Sequence, residues 1–263
     1  MAINYKHIQE FDEMFPSVTH FITTRYGGVS KGNYAELNMG KWCGDCPACV
    51  QSNRQHLCQS LGISEDLLLV PREIHKTHNV IIDNDFLCMP FSDRTSLLME
   101  ADALITTIPN VAIAVSTADC VPVLLYDAKH KIAAAIHAGW RGTVARIVEK
   151  TVSVMDNQYG SQGKDLIACI GPSISLEAFE VGDEVYQAFC EAGFDMNQIA
   201  RKEAKWHIDL WEANRQQLLA YGVKPEHIEI SGICTYHNND DFFSARRQGI
   251  RSGRILSGIL LGV

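Results

Sequence analysis

Short apolar runs separated by turn residues dominate the middle of the chain. Four such runs follow closely on one another, at residues 103–107, 111–115, 121–126 and 131–136. Nearly continuous apolar runs of this length are typical of strands in a sheet that is covered on both faces. The pattern therefore predicts a buried, strand-rich core at the centre of the chain.

Helical spacing, in which apolar residues recur every three or four positions, lies on either side of this centre. It predicts helices at residues 49–61, 144–155, 183–192 and 208–221. Gly62 is a typical residue to end the first of these helices, and Asp209 is a typical residue to open the last.

Further apolar runs predict strands at residues 21–24, 166–170, 228–230 and 255–261. Strands and helices therefore intermingle along the chain, which indicates a mixed α/β (α+β) fold. Because no linker, internal repeat or low-complexity tract divides the chain, we expect residues 1–263 to form a single domain.

The composition excludes some classes of function. Of the 263 residues, 46% are hydrophobic and 21% are charged, as in ordinary globular proteins, and the net charge is −8. A net negative chain without a basic run is a poor candidate for binding nucleic acid. A few local arginines could still hold the phosphate of a small substrate.

Targeting features predict a cytoplasmic protein. No stretch approaches the roughly 20 apolar residues of a membrane span. Residues 1–15 carry several charges and lack the apolar core of a secretion signal. The nine cysteines are odd in number and spread along the chain, which is typical of reduced thiols rather than of a disulfide framework.

The strongest candidate chemistry lies on three short segments that carry His75, Cys120 and His137, the last two next to predicted strands. A thiolate and two neutral imidazoles are a usual donor set for catalytic zinc, which keeps a fourth position for water or substrate. Sulfur with nitrogen also suits copper. The spacing alone does not favour a metal over two other interpretations, of which the first is the default. One is three unrelated core residues, and the other is a metal-free pair with Cys120 as nucleophile, His137 as base and Asp119 as orienting group.

Two further motifs imitate functional patterns. Cys43, Cys46 and Cys49, with Cys58 beyond them, resemble cluster-ligand spacing, but a helix is predicted from Cys46 onward. Structural cysteines or an adventitious metal site explain them better. The Gly-Val-Ser-Lys-Gly run at residues 28–32 matches a nucleophile elbow, but the required helix is not predicted after it. The chain also lacks Walker, dinucleotide-binding and zinc-deaminase signatures.

Arginines in turns form the next informative class. Arg25 precedes a double glycine, Arg141 lies in the turn after His137, and Arg246 and Arg247 follow an aromatic pair. A guanidinium group binds phosphate in a bidentate manner. We therefore expect these four arginines to contribute to an anion or phosphate site.

Many short segments of the chain match, in the same order, the motifs of one known protein family. The clearest are Thr-Ala-Asp-Cys-Val-Pro at residues 117–122 and His-Ala-Gly-Trp-Arg-Gly at residues 137–142. The other matching segments are residues 24–30, 37–40, 44–45, 53–54, 74–75, 101–106, 170–172, 179–182, 234–235 and 242–247. Over nearly its whole length the chain resembles the YfiH-type, laccase-domain family, which makes the metal interpretation the leading one.

The resemblance implies a layered α/β sandwich with a mixed sheet, similar in fold to cytotoxic necrotising factor, a Cys–His enzyme. It implies a metal, usually zinc, on His75, Cys120 and His137. The implied reactions are phosphorolysis of adenosine, inosine and methylthioadenosine, and deamination of adenosine, by a monomer or small homo-oligomer. Copper-dependent polyphenol oxidation and editing of peptidoglycan precursors are also attached to the family, and the similar fold keeps a metal-free Cys–His hydrolase open.

These implications translate into roles for named residues. The metal ligands activate water for attack on purine C6 in deamination. The four arginines hold phosphate near the anomeric carbon in phosphorolysis. Asp119 and Asp102 are candidates for acid–base roles or for support of the ligands.

The chain departs from the family's usual pattern in three places. Glu-Ile-His-Lys at residues 73–76 stands where Gln-Val-His-Gly is usual, and His78 lies close enough to be an alternative ligand. Ser173 replaces a cysteine, and His237 stands where many members have one. We expect these changes to affect substrate preference more than the metal ligands.

Overall fold

The computed structural model describes residues 5–6 and 18–262 of the chain. The strands are β1 (Tyr5–Lys6), β2 (Val18–Thr23), β3 (Leu68–Leu69), β4 (Asn79–Ile82), β5 (Ala103–Thr106), β6 (Ala112–Thr117), β7 (Val121–Asp127), β8 (Ile132–Ala138), β9 (Leu166–Ile170), β10 (Glu180–Val181), β11 (Ala200–Lys202), β12 (Trp206–Ile208), β13 (Ile228–Ile230) and β14 (Ile255–Leu261). The α-helices are α1 (Pro47–Leu61), α2 (Asn84–Cys88), α3 (Phe91–Leu98), α4 (Trp140–Val144), α5 (Ile147–Tyr159), α6 (Asp183–Glu191), α7 (Met196–Ile199), α8 (Leu210–Ala220) and α9 (Ala245–Gln248). Within the described residues, no helix has the length and apolar character needed to cross a membrane. The structure describes only residues 5–6 of the segment 1–15, which is predicted to lack a secretion signal.

Two large sheets and one small sheet organise these strands. The six-stranded sheet has the order β13-β9-β7-β8-β5-β4, with parallel pairs at its two edges and antiparallel pairs inside. The five-stranded sheet has the order β1-β2-β14-β6-β3, in which only β3 and β6 are parallel. A small antiparallel sheet has the order β10-β12-β11. The expected mixed sheet is therefore confirmed, and a second one packs beside it.

The six-stranded sheet is apolar on both faces because another layer covers each face. Val123 and Leu125 of β7 pack in a cluster with Met155 of α5. Leu124, between them, packs in a second cluster with Ile113 of β6 in the five-stranded sheet. This alternation follows from the two-residue period of a strand, and double coverage explains why the central runs contain few polar residues.

A further layer covers the five-stranded sheet. Ala114 of β6 and Leu256 of β14 pack in a third cluster with Leu57 of α1. The layers therefore run from α1 through the five-stranded sheet and the six-stranded sheet to α5 and α8. This arrangement confirms the predicted mixed α+β sandwich.

The largest differences from the predicted elements lie near the candidate site. The strand expected at residues 131–136 continues to Ala138, so His137 lies within β8 rather than after it. The helix expected at residues 144–155 is observed as α5, which begins only at Ile147, whereas Val144 ends the separate short helix α4. They are separate because Arg146 has a left-handed backbone, with a φ of 62°.

The helix expected from residue 208 begins two residues later. Ile208 is the last residue of β12, and Asp209 caps α8 by accepting a hydrogen bond from the Glu212 N–H at 2.9 Å. The segment at residues 28–32 is not a nucleophile elbow. Gly32 opens a single 3-10 turn, and the Ser30 hydroxyl donates to the Asp45 carboxylate at 2.6 Å.

Candidate metal centre

The structure brings His75, Cys120 and His137 together. One potential ligand atom from each residue lies within 4.8 Å of the other two. Cys120 Sγ is 3.8 Å from His75 Nε2, and the two imidazole rings meet edge to face with their centroids 4.8 Å apart. The three donors are thus close enough together to be candidate ligands of one metal ion.

Strand pairing explains why Cys120 and His137 meet. β7 and β8 are antiparallel, and Val121 at the start of β7 pairs with Ala138 at the end of β8. Cys120 precedes Val121 and His137 precedes Ala138, so both lie at the same end of the six-stranded sheet.

The same sheet brings His75 to this end. Asn79, the first residue of β4, pairs with Ala103 of β5, which in turn pairs with Ile136 of β8. The loop before β4 therefore reaches the end of β8. In this loop His75 adopts a left-handed backbone with a φ of 61°.

Asp102 is the carboxylate behind two of the ligands. Its Oδ1 accepts hydrogen bonds from His137 Nδ1 at 3.0 Å and from the His75 backbone N–H at 2.8 Å, and its Oδ2 accepts one from the Lys76 N–H at 2.8 Å. Because Nδ1 of His137 faces this carboxylate, Nε2 is the nitrogen left for a metal. The two backbone bonds also hold the unfavourable conformation of His75, which costs about 1–3 kcal/mol.

Gly139 provides the space that the three ligands need. A Cβ at this position would lie 3.0 Å from His75 Cδ2 and 3.1 Å from Cys120 Sγ. Any side chain here would push the donors apart. A thiolate and two imidazoles that converge on a clear space, with one imidazole backed by a carboxylate, fit a metal ion.

Electrostatics favour the ionised form of Cys120. Burial by itself raises the pKa of this thiol. The His137 charge and the hydrogen bonds from both histidines outweigh burial and lower the pKa to about 6. Burial lowers the pKa of His137, while the Cys120 charge and the Asp102 hydrogen bond raise it to about 10. The thiolate is the form that binds metals and acts as a nucleophile.

Two cavities meet at Cys120. The larger, of about 580 Å³, is lined by the three ligands and by four basic side chains, Lys41, Arg72, Arg251 and Arg254. The smaller, of about 290 Å³, is lined by Cys120, Asp119 and Arg246 and otherwise by apolar or aromatic residues, among them Trp140, Ile174, Phe179 and Leu210. The candidate centre therefore faces a cationic environment on one side and an apolar one on the other.

Sequence reasoning missed the arginines of the larger cavity. Arg72 and Arg251 are exposed there, and neither guanidinium group bonds to another described residue. Arg254 differs, because its guanidinium donates to backbone carbonyls at 2.8, 2.9 and 3.1 Å. The position of Arg72, three residues before His75, was a signal that could have identified it, whereas no motif singles out Arg251.

The four arginines predicted to bind phosphate have other surroundings. Arg25 donates to two backbone carbonyls, at 2.9 and 2.6 Å, and Arg247 donates to one at 3.0 Å. The guanidinium of Arg141 lies over the Trp140 ring, 4.1 Å from its centroid. Among the described residues that line the two cavities, only Arg246 belongs to this set. A phosphate contact by any of the four stays a prediction.

Asp119 joins the Cys120 turn to the segment that carries Arg246. Its backbone is left-handed, with a φ of 89°. Its Oδ1 accepts a hydrogen bond from the Thr235 hydroxyl at 2.7 Å, and its Oδ2 accepts one from the Arg246 backbone N–H at 2.6 Å. Both oxygens are thus engaged, and a catalytic role for Asp119 stays a prediction.

Other candidate ligands lie outside the centre. His78 Nδ1 is 3.0 Å from the Glu100 carbonyl, and His237 packs edge to face against Tyr236. Over residues 18–262, the only group of three or more His, Cys, Asp or Glu side chains placed to share a metal is His75, Cys120 and His137. The cysteines at residues 43, 46 and 49 do not form such a group.

The chain is a layered α+β sandwich with a candidate metal centre at one end of its six-stranded sheet. Two relatives match almost the whole chain. A purine nucleoside phosphorylase from Bacteroides thetaiotaomicron is 51% identical over 250 residues, which cover 94% of this chain and 93% of the relative. Adenosine deaminase RL5, from an unknown prokaryotic organism, is 40% identical over 253 residues, which cover 95% and 96%. Both relatives bear the names of enzymes that act on nucleosides.

Two solved structures resemble the fold of this chain, and one family model matches nearly all of its sequence. YfiH from Bacillus licheniformis has a TM-score of 0.88 at 29% identity, over 95% of this chain and 94% of that one. YlmD from Geobacillus stearothermophilus has a TM-score of 0.86 at 30% identity, over 95% and 93%. Residues 19–262 match the family described as multi-copper polyphenol oxidoreductase laccase. The chain belongs to this family, the YfiH-type laccase-domain family.

Proposed function

We propose that the chain is a metal-dependent purine nucleoside phosphorylase that also deaminates adenosine. It converts adenosine, inosine or methylthioadenosine and phosphate into the free base and a ribose 1-phosphate. One observation carries the proposal: His75, Cys120 and His137 lie where a cationic cavity meets an apolar one. A flat base and an anionic phosphate need neighbouring environments of these two kinds. The names of the two relatives support the same substrates.

We assign zinc to the three ligands, with copper as the alternative metal. One thiolate and two imidazoles match the preference of zinc, and the same donors suit copper. When bound, such a metal supplies Lewis-acid chemistry, which polarises an oxygen and lowers the pKa of water. Asp102 fixes the nitrogen that His137 presents, and Gly139 keeps the space clear.

The smaller cavity is the better place for the purine. Trp140 and Phe179 offer aromatic surfaces there, with Arg246 among the lining residues. Stacking of a base on an aromatic side chain contributes about 1–3 kcal/mol. A base in this cavity would place its ribose near Cys120, which lines both cavities.

The larger cavity is the better place for phosphate. The guanidinium groups of Arg72 and Arg251 are available to bind an anion there. In phosphorolysis a phosphate oxygen bonds to the anomeric carbon as the bond from that carbon to the base breaks. The electron pair leaves with the base, which takes up the proton that hydrogen phosphate releases as it becomes the ribose ester. Holding phosphate and nucleoside on either side of Cys120 lowers the entropic barrier to this step. Asp119 then serves to position Cys120 and Arg246 through its two hydrogen bonds.

Purified protein of known metal content, supplied with inosine and phosphate, tests this proposal. We expect ribose 1-phosphate and free base in equal amounts, and a Cys120→Ala variant without this activity. Cys88→Ala is the matched control, because Cys88 is another accessible thiol at the end of α2. Absence of phosphate-dependent product, or equal product from Cys120→Ala, would contradict the proposal. Adenosine without phosphate tests deamination through the formation of inosine.

A copper-dependent phenol oxidase is the second candidate, because sulfur and imidazole donors also suit copper. We rank it second because the part of the chain that the structure describes supplies one group of three ligands, whereas multicopper oxidases need further copper centres. This alternative predicts phenol oxidation that rises with bound copper and does not depend on phosphate.

A metal-free Cys–His hydrolase, such as an editing enzyme for peptidoglycan precursors, is the third candidate. The lowered pKa of Cys120, about 6, next to His137 favours it. It predicts activity that survives removal of metal. For any of the three activities we propose a cytoplasmic protein, since all nine cysteines are free thiols, and a monomer or small homo-oligomer.

A further inference from the structure

A pair of cysteines lies at the start of α1, outside the metal centre. Cys46 is the residue that precedes the first turn of the helix, Pro47 is the first helical residue, and Cys49 follows in that turn. Both thiols are free, with Cys46 exposed and Cys49 half-buried. Residues three apart lie on the same side of a helix. The two thiols accordingly lie on the same side of the helix start, close enough for each to shift the pKa of the other.

The helix start makes the two thiols chemically different. The pKa of Cys46 is lowered because the Cys49 backbone N–H, the Cys49 thiol and the Ala48 N–H stabilise its thiolate. The pKa of Cys49 is raised, mainly by its hydrogen bond to Cys46. The Asp45 charge disfavours both thiolates, and Lys31 favours that of Cys49. Cys46 is therefore the accessible thiol that ionises more readily and Cys49 the neighbour that keeps its proton more firmly, which are the roles of the attacking and the second thiol in disulfide exchange.

The other cysteines of this motif lie elsewhere. Cys43 Sγ is 3.3 Å from Asn38 Nδ2 and 3.2 Å from the Gly40 carbonyl, and it lines the larger cavity. Cys58 is buried in the cluster that α1 forms with the five-stranded sheet, and burial raises its pKa to about 11. Residues 46 and 49 therefore form a pair rather than part of a cluster site.

We propose that Cys46 and Cys49 form a redox-active dithiol that exchanges with small-molecule disulfides. The Cys46 thiolate attacks one sulfur of the small disulfide, whose S–S bond breaks and releases one small thiolate. Cys49 then loses its proton to solvent and attacks Cys46 Sγ, which forms the protein disulfide and releases the second small thiolate. One small disulfide is reduced to two thiols, and the two protein thiols are oxidised to one disulfide.

Zinc-loaded full-length protein treated with hydroxyethyl disulfide near neutral pH, without oxygen, tests the proposal. After acid quenching and alkylation of the remaining thiols, mass spectrometry locates each modification. We expect a disulfide between residues 46 and 49, with Cys46 reacting roughly tenfold faster than the exposed Cys88 of the same molecule. Equal rates at Cys46 and Cys88, or no internal disulfide, would overturn the proposal.

Two variants separate the steps. Cys49→Ser should stop at the mixed disulfide on Cys46, because the second thiol is missing. Cys43→Ser should still form the internal disulfide. If Cys43→Ser loses that disulfide, the pair is wrongly assigned and the proposal fails. Continued protection of the buried thiols Cys58 and Cys169 in each variant shows that the fold is unchanged. This test does not depend on the proposed nucleoside activity, so either can fail without the other.

Discussion

Replacing Asp102 with asparagine perturbs the metal centre without touching a metal ligand. The carboxylate is fully buried (0% exposed), and its two oxygens accept three hydrogen bonds. Asparagine has the same shape but offers one acceptor oxygen and one amide group that donates. In the better of its two orientations, the asparagine oxygen still accepts hydrogen bonds from His137 Nδ1 and the His75 N–H. Its amide group then faces the Lys76 N–H, so the hydrogen bond from Lys76 is lost.

The single lost hydrogen bond sets the expected loss of stability, and the lost carboxylate charge sets the expected loss of zinc affinity. One lost hydrogen bond to a charged group costs about 1.5–3 kcal/mol of unfolding free energy. For a chain of this size, each kcal/mol lowers Tm by about 2–4 °C. Loss of the carboxylate behind a metal-binding histidine typically weakens metal binding 10–100-fold. That range corresponds to about 1.4–2.7 kcal/mol. Asp102→Asn should therefore be moderately less stable and should bind zinc much more weakly.

Asp127→Asn is the matched control. Asp127 is also 0% exposed, and it accepts hydrogen bonds from the Lys129 N–H at 2.9 Å, from the His130 N–H at 3.0 Å and from His130 Nδ1 at 2.7 Å. It lies at the other end of β7 from Cys120, so its variant should lose similar stability but keep zinc affinity. The assay is competition for zinc against a coloured chelator, alongside thermal unfolding. Equal zinc affinities for the two variants would refute the role assigned to Asp102.

In chelated protein, the Cys120 pKa of about 6 predicts alkylation that is constant above pH 7 and falls as the thiolate protonates below about pH 6. A rate that keeps rising to pH 9 would contradict it. Gly139→Ala should remain folded but lose its metal, as measured after gel filtration, because the new Cβ would lie 3.0 Å from His75 Cδ2. Full metal content in that variant would contradict the packing argument. Arg251→Ala should raise KM for phosphate roughly 10–100-fold, as expected for a lost charge-assisted hydrogen bond, with KM for inosine unchanged. Arg201→Ala, a surface arginine paired with a glutamate 2.8 Å away, should change neither constant, and equal effects of the two variants would place the phosphate elsewhere.

Helices and strands whose bounds are set by residues close together in the sequence could be predicted from the sequence. The last strand has the predicted bounds, Ile255–Leu261, because all seven of its residues are buried and therefore apolar or small. The break between α4 and α5 could not be predicted in this way. It depends on the left-handed backbone of Arg146, and arginine has no local preference for that conformation.

Local sequence also predicts only part of the candidate site. The grouping of His75, Cys120 and His137 could be predicted because each lies within a distinctive motif of the family that the chain resembles. The surroundings of the arginines depend on distant contacts: Arg25 donates to the carbonyl of Asn239, 214 residues away, and so is committed to a loop. Arg251 lines the larger cavity because the C-terminal segment folds back beside the ligands. No local pattern reports either contact.

X-ray absorption spectroscopy of the zinc-loaded protein tests the metal centre most directly. Coordination by Cys120, His75 and His137 predicts one sulfur at about 2.3 Å and two imidazole nitrogens at about 2.0–2.1 Å from each zinc ion. The Cys120→Ala variant should lose the sulfur. Two or more sulfur ligands would instead assign the metal to the cysteines at residues 43, 46 and 49. That result, or the absence of any sulfur ligand, would contradict the site proposed for this protein.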